Sequence, residues 1–188
     1  LEGDIKGCFD NINHRLLLQK LWRLGIHDKR LIKIIGLMLK SGYIEYDMFK
    51  NSNIGTMQGG IISPLLANVY LNDFDWYIRR KYYNPHRRCK YKCNDSRRLK
   101  WLGVNPKYNF RYADDWVILT STKQEADRLK AELTKYFMYK MKLELSQEKT
   151  KVTDLKTEGI HFLGFIIKAE KPRKTPENNK QHLVGKPY

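Results

Sequence analysis

The sequence predicts an α+β fold, an antiparallel sheet with helices packed on one face. Apolar residues recur at helical spacing in several segments, short alternating runs lie between them, and no regular strand-helix-strand order links the two. With 188 residues, 41% of them hydrophobic and 12% aromatic, the chain suffices for one domain with a sizeable core and is too apolar for disorder.

Leu1 to Ile5 reads as an opening strand. Leu17, Leu21 and Leu24 then recur at helical spacing with Gly25 as a stop, predicting an amphipathic helix from His14 to Leu24. A second helix begins at Asp28, carries Leu31, Ile35 and Met38 on one face and ends near Gly42. Tyr43 to Gly55 alternates loosely, as a short hairpin would. Gly59-Gly60 supplies a flexible backbone, and Ser63-Pro64 offers an N-cap followed by proline at the first helical position, so a long helix should run from Pro64 to about Tyr82.

From Arg79 to Lys100 the chain holds ten Lys or Arg and a single acid, Asp95, interleaved with Tyr82, Tyr83 and Tyr91. This reads as an exposed basic insertion over about residues 79–107. A solvated charge run is the plain reading; cations between aromatics also suit a nucleic-acid contact. Tyr108 to Tyr112 and Trp116 to Thr120 read as two strands with Asp114-Asp115 in the turn between them. Their apolar flanks, Phe110, Tyr112, Val117, Ile118 and Leu119, place this hairpin at the centre of the sheet. Thr122-Lys-Gln-Glu125 is a capping box, and Ala126, Leu129, Leu133 and Phe137 form the apolar face of the helix it starts. Lys151 to Leu155 and Ile160 to Ile167 read as final strands. Beyond Lys168 the chain is rich in Lys, Pro and Asn and reads as a linker over 168–188.

The formal net charge is +16. Self-repulsion of that size is relieved by a polyanion, and nucleic acid is the first candidate partner. No run approaches the 18 or so apolar residues of a membrane-spanning helix and no signal pattern opens the chain, so an intracellular protein with no membrane partner is expected. Cys8, Cys89 and Cys93 cannot all pair internally and suit a reducing compartment. His86, Cys89 and Cys93 have the outline of a zinc half-site without a fourth ligand, and ordinary loop thiols are the simpler reading. The chain lacks an initiator Met and opens as if inside an element, which is expected of a piece of a longer protein.

Asp114 and Asp115 are adjacent acids in a basic chain. Asp is common in exposed turns because it tolerates left-handed backbone. Between apolar strands at a sheet centre, however, the two carboxylates repel unless a cation holds them. With no His or Cys nearby, the hard oxygen donors point to magnesium or manganese. A third acid, Asp4, closes the opening strand. Three convergent carboxylates would hold two ions about 3.5–4 Å apart, an arrangement suited to nucleotidyl transfer.

Five motifs stand in order along residues 1–167: Asp4-Ile-Lys-Gly-Cys-Phe9-Asp10; Gly55-Thr-Met-Gln58-Gly-Gly60-Ile-Ile-Ser-Pro64-Leu-Leu-Ala-Asn68; Tyr112-Ala-Asp-Asp115; Leu145-Ser-Gln-Glu-Lys149-Thr; and Phe162-Leu-Gly-Phe165. Together they resemble the palm motifs of reverse transcriptases, above all the maturase reverse transcriptases encoded in group II introns. The resemblance implies a right-hand polymerase palm with a catalytic hairpin, in which Asp4, Asp114, Asp115 and the backbone carbonyl of Ile5 hold two magnesium ions. It also implies that Phe9 closes on the sugar edge of the incoming nucleotide and that Gln58 lies beside that nucleotide. Lys149 would then stand near the triphosphate, and Phe162, Leu163, Gly164 and Phe165 would form the primer grip. Asp114 is expected to bridge both metals, with Asp115 the weaker ligand.

The implied activity is RNA-directed DNA polymerisation, with intron RNA template, DNA primer and deoxynucleotides as partners, together with assistance to intron splicing and mobility. The alternative is a maturase acting mainly as an intron RNA-binding splicing factor. Retron, diversity-generating and CRISPR-associated reverse transcriptases are a further possibility, against which the string "IKGCFDNI" argues. A bacterial cytoplasm, or an organelle, is the implied location; the oligomeric state stays open. Met57 stands where many relatives carry Pro, and the fingers, upstream, and thumb, downstream, are expected outside residues 1–188.

Overall fold

The computed structural model describes residues 1–41, 43–45, 48–50, 54–56, 60–83, 103, 105–170 and 183–187. Gln58, His86, Cys89, Cys93 and most of the basic insertion lie outside the described residues.

Strand β1 (Glu2–Gly3) leads through a 3-10 turn at Phe9–Asn11 into helices α1 (His14–Arg23) and α2 (Lys29–Lys40). Asn13 caps α1 by accepting from the Leu16 N–H at 3.0 Å, and Asp28 caps α2 through the Arg30 and Leu31 N–H groups. β2 (Tyr43–Glu45) and β3 (Met48–Lys50) pair as the expected hairpin. Helix α3 runs from Ser63 to Ile78 with Ser63 already inside its first turn, and widens into a π turn at Arg79–Tyr83. The hairpin β4 (Tyr108–Tyr112) and β5 (Asp115–Leu119) follows, then α4 (Lys123–Tyr136), capped by Thr122. The last strands are β6 (Ile160–Phe162), β7 (Phe165–Ala169) and β8 (Leu183–Pro187).

The main sheet is antiparallel in the order β1-β5-β4, with Gly3 opposite Trp116 and Tyr112 opposite Asp115. Among the described residues only β5 lies at its centre: Trp116, Val117 and Ile118 are buried, whereas β4 is an edge strand on which Phe110 and Tyr112 are 52% and 66% exposed. This corrects the expectation that both strands of the hairpin are core.

Strand alternation gives the sheet two different faces. Trp116 points to the helices, where Phe74 of α3 meets it edge-on at 5.5 Å and Phe137, just past α4, stacks with it at 6.4 Å. Gly3 is required under this ring, because a Cβ there would lie 2.3 Å from the Trp116 side chain. Asp115, Val117 and Glu2 belong to the opposite face.

The outer edge of β1 is held by residues 144–151. Glu2 and Lys151 exchange backbone bonds of 2.9 and 3.0 Å, and the Ser146 N–H donates to the Asp4 carbonyl at 2.9 Å. The strand expected over Lys151–Leu155 reduces to this one bridge. Asp154 ends it, since its carbonyl accepts from the Thr157 and Glu158 N–H groups and its side chain from the Lys156 N–H, closing a turn. The expected linker beyond Lys168 contains β8, which pairs along the whole of β7. The two described ends of the basic insertion are tethered together. The Lys107 ammonium lies 4.2 Å over the Tyr82 ring, and the Tyr82 hydroxyl donates to Glu132 of α4 at 2.8 Å. Among the described residues no helix is long and apolar enough to cross a membrane.

Candidate active site

The end of β1, the start of β5 and the segment 147–151 open onto the same side of the main sheet. A cleft of about 750 Å³ there is lined by Glu2, Asp4, Asp115, Lys149, Thr150 and His161, among others, and by Phe162 and Leu163. Asp4 is almost fully buried, and its Oδ2 lies 2.8 Å from the Lys149 ammonium. That contact holds the lysine's proton more firmly than usual. The Asp115 carboxyl is pushed above the ordinary aspartate range, first by partial burial and then by the negative charges of Asp4 and Asp114.

Asp114 is the second residue of the two-residue turn and does not line the cleft. Its charge nonetheless bears on Asp115 and on Cys8, whose thiol is raised to about 12 by burial, then by Asp114, and further by Asp4 and Asp10. Cys8 therefore stays a protonated, buried thiol beside the acids and is no nucleophile.

Ile5 is buried beside Asp4 and bridges Leu145. The backbone bonds flanking that bridge use the Asp4 carbonyl and the Lys6 N–H, leaving the Ile5 carbonyl out of them. Phe9 opens the 3-10 turn, partly buried against the core. Its carbonyl accepts the Thr56 N–H at 2.7 Å, while Gly55 donates to the Ile12 carbonyl at 2.7 Å. His14 donates from Nε2 to the Gly55 carbonyl at 2.6 Å. Gly55 has φ +90°, and a Cβ there would lie 2.8 Å from the Asp10 carbonyl oxygen, so only glycine permits this approach. The stretch leading toward Gln58 is thus laid directly against the backbone of Phe9.

Leu163 and Gly164 form the two-residue turn between β6 and β7, with φ of +53° and +78°. This turn aims Phe162 and Leu163 into the cleft with Asp4, Asp115 and Lys149. Ile5, Phe9, Gly164 and Phe165 do not line it.

The Asp4 and Asp115 carboxylates are hard oxygen donors of the kind a divalent cation takes, and Asp115 carries a raised pKa, first from partial burial and then from the charges of Asp4 and Asp114; His161 lines the same cleft. As the side chains stand, no three acids, histidines or cysteines among the described residues are gathered closely enough to hold an ion, and the Lys149 ammonium provides the positive charge at Asp4. The sequence assigns no role to Asn68, Asp75, Asn109 or Arg111, which join α3 to the hairpin from behind the acids. Their sequence signals are that Asn68 closes the second motif, that Arg111 precedes the acid motif, and the spacing: Asn68 and Asp75 stand seven residues apart on α3, and Asn109 and Arg111 alternate on β4.

The family model described as reverse transcriptase (RNA-dependent DNA polymerase) matches residues 1–167. The chain belongs to the reverse transcriptase family. It is 32% identical to protein YkfC of Escherichia coli strain K12, over 92% of this chain and 48% of that protein. It is equally 32% identical to the group II intron-encoded protein LtrA of Lactococcus lactis subsp. cremoris, over 91% of this chain and 35% of that one. The chain thus spans about half, or less, of the length of these relatives. Its fold is that of the reverse transcriptase palm: telomerase from Candida tropicalis superposes with a TM-score of 0.64 over 89% of this chain at 15% identity, a likeness of fold alone.

Proposed function

We propose that residues 1–167 are the palm of an RNA-directed DNA polymerase encoded in a group II intron, which copies its intron RNA from a DNA primer and assists its splicing within an intracellular ribonucleoprotein. The observation that carries this reading is the cleft in which Asp4, Asp115 and Lys149 meet Phe162 and Leu163 of the β6–β7 hairpin. Four separate sequence motifs supply these residues. A purely RNA-binding scaffold has no physical need to place carboxylates where they would repel phosphates.

In this reading Asp4, Asp114, Asp115 and the Ile5 carbonyl hold magnesium, two ions in the full site, with manganese as a substitute. The bound cations supply Lewis-acid charge to nucleotidyl transfer. Lys149, exposed and firmly protonated, presents its ammonium to the triphosphate and holds a proton for the departing pyrophosphate. Phe9, its backbone locked by Thr56, stands at the sugar edge of the nucleotide, and Gln58 beside it. The Phe162–Phe165 hairpin seats the primer end, and the basic insertion over 79–107 contacts RNA.

The test is Asp114→Asn in the full-length protein. Primer extension on an RNA template should be lost while intron RNA affinity stays within about twofold, because phosphate contacts dominate that affinity. Wild-type extension in this variant overturns the reading.

A further inference from the structure

Behind the acids, on the helix face of the sheet, one guanidinium joins three elements. Asn68 and Asp75 lie two turns apart on α3 and share a face. Asn109 and Arg111 alternate along β4 and point to that same face. The Asp75 carboxylate accepts Asn109 Nδ2 at 3.1 Å, Arg111 Nε at 3.0 and 3.1 Å, and Arg111 Nη2 at 2.6 Å. Arg111 Nη1 reaches onward, donating to Asn68 Oδ1 at 2.9 Å and to the Ala113 carbonyl at 2.7 Å. The Arg111 side chain is only 9% exposed.

The last of these bonds matters most. Ala113 has φ +51°, a left-handed conformation that L residues other than Asn and Asp adopt rarely. Its carbonyl shares a rigid peptide plane with the Asp114 nitrogen. A donor that fixes this oxygen therefore fixes the plane from which Asp114 departs and the approach of Asp115 one residue later. The planar fork of arginine serves this purpose, since one edge is spent on Asp75 while Nη1 stays aimed at the turn; lysine has no such geometry.

We infer that Asp75 and Asn68, acting through Arg111, are positioning residues that set the Ala113–Asp114 turn and so the spacing of Asp114 and Asp115 from Asp4. This rests on the polymerase reading above and extends it from the acids to the network that aims them.

The experiment uses the full-length protein and Mn²⁺ as probe, with Arg111→Lys, Asp75→Ala and the milder Asp75→Asn. Mn²⁺ affinity is read by electron paramagnetic resonance without nucleotide, alongside kcat and KM for primer extension and the melting temperature. Arg111→Lys and Asp75→Ala should weaken Mn²⁺ binding and lower kcat roughly 10–100-fold, as loss of a partner that orients metal ligands does elsewhere, with the deoxynucleotide KM changing less than about threefold. Asp75→Asn, which keeps one acceptor, should fall between these and wild type. If the variants melt lower but their folded fraction binds Mn²⁺ and turns over as wild type does, the network is only structural and the inference is overturned. A wild-type protein that neither binds Mn²⁺ nor extends a primer overturns the polymerase reading itself, and this inference with it.

Discussion

The ammonium of Lys149 lies 2.8 Å from Oδ2 of Asp4, pairing an exposed lysine with an acid that is nearly buried. An ion pair open to water on one side contributes little to stability, so holding the fold together does not explain this lysine's place. Lys149→Met should leave the melting temperature essentially unchanged. Primer extension by the full-length protein should slow about 100-fold, the scale of losing a positioned proton donor. Equal extension rates in variant and wild type would return Lys149 to the ordinary surface.

Asp115 offers a pH test. Its carboxyl is raised by partial burial, then by Asp4 and Asp114, and lowered by Lys149. A carboxyl raised in the fold binds its proton more tightly folded than unfolded. It therefore favours the folded state at low pH, and that contribution fades as pH rises from the ordinary aspartate value through the raised one. Cation binding requires the ionised form and should weaken as pH falls through the same window. Carboxyl carbon NMR on metal-free protein should find the Asp115 midpoint above that of a free aspartate, lower in Asp4→Asn and higher in Lys149→Met. One midpoint shared by all three proteins would show that the acids do not sense one another.

Gly3 stands beneath Trp116, with a substituted Cβ only 2.3 Å from the indole. Trp116 cannot move aside freely, because Phe74 and Phe137 hold its other side. Gly3→Ala should therefore destabilise the domain by about 1–3 kcal/mol, the usual consequence of overpacking a core. It should also displace Asp4, the next residue. Chemical denaturation measures the first effect and Mn²⁺ affinity the second; unchanged stability would mean that the strand pair shifts without strain.

Asp4 and Asp115, which share the cleft, stand out in the sequence as acids in a basic chain, but nothing in the sequence shows that Asp114 stays out of the cleft lining. Sheet order was not legible, since Phe110 and Tyr112 favour a strand as strongly as Val117 and Ile118 do. Only the partnering of β5 with both β1 and β4 makes one strand core and leaves the other at the edge. The pairing of β8 with β7 was hidden for a related reason: it is made of backbone hydrogen bonds, to which composition is blind. Asp75 and Arg111 are far apart in the chain, and nothing periodic in the sequence links them. The helices were the most legible elements, because caps such as Asp28 and Thr122 act within three residues of themselves.

Phe9 distinguishes a sugar gate from a core residue. Its ring is partly buried, while its carbonyl is fixed by Thr56 and its turn is pressed against Gly55. The backbone is thus held independently of the ring, and shortening the side chain should open space without moving the turn. Deoxynucleotides are selected if the ring occupies the volume a 2′-hydroxyl would need. Phe9→Val in the full-length protein should then raise kcat/KM for ribonucleotides relative to deoxynucleotides by roughly 10–200-fold, the range a steric pocket supplies. A core role predicts the opposite division: a lower melting temperature with the ratio of the two kcat/KM values unmoved. Single-nucleotide incorporation and thermal denaturation on the same preparation separate the two, because the first reads a ratio from which any loss of folded protein cancels.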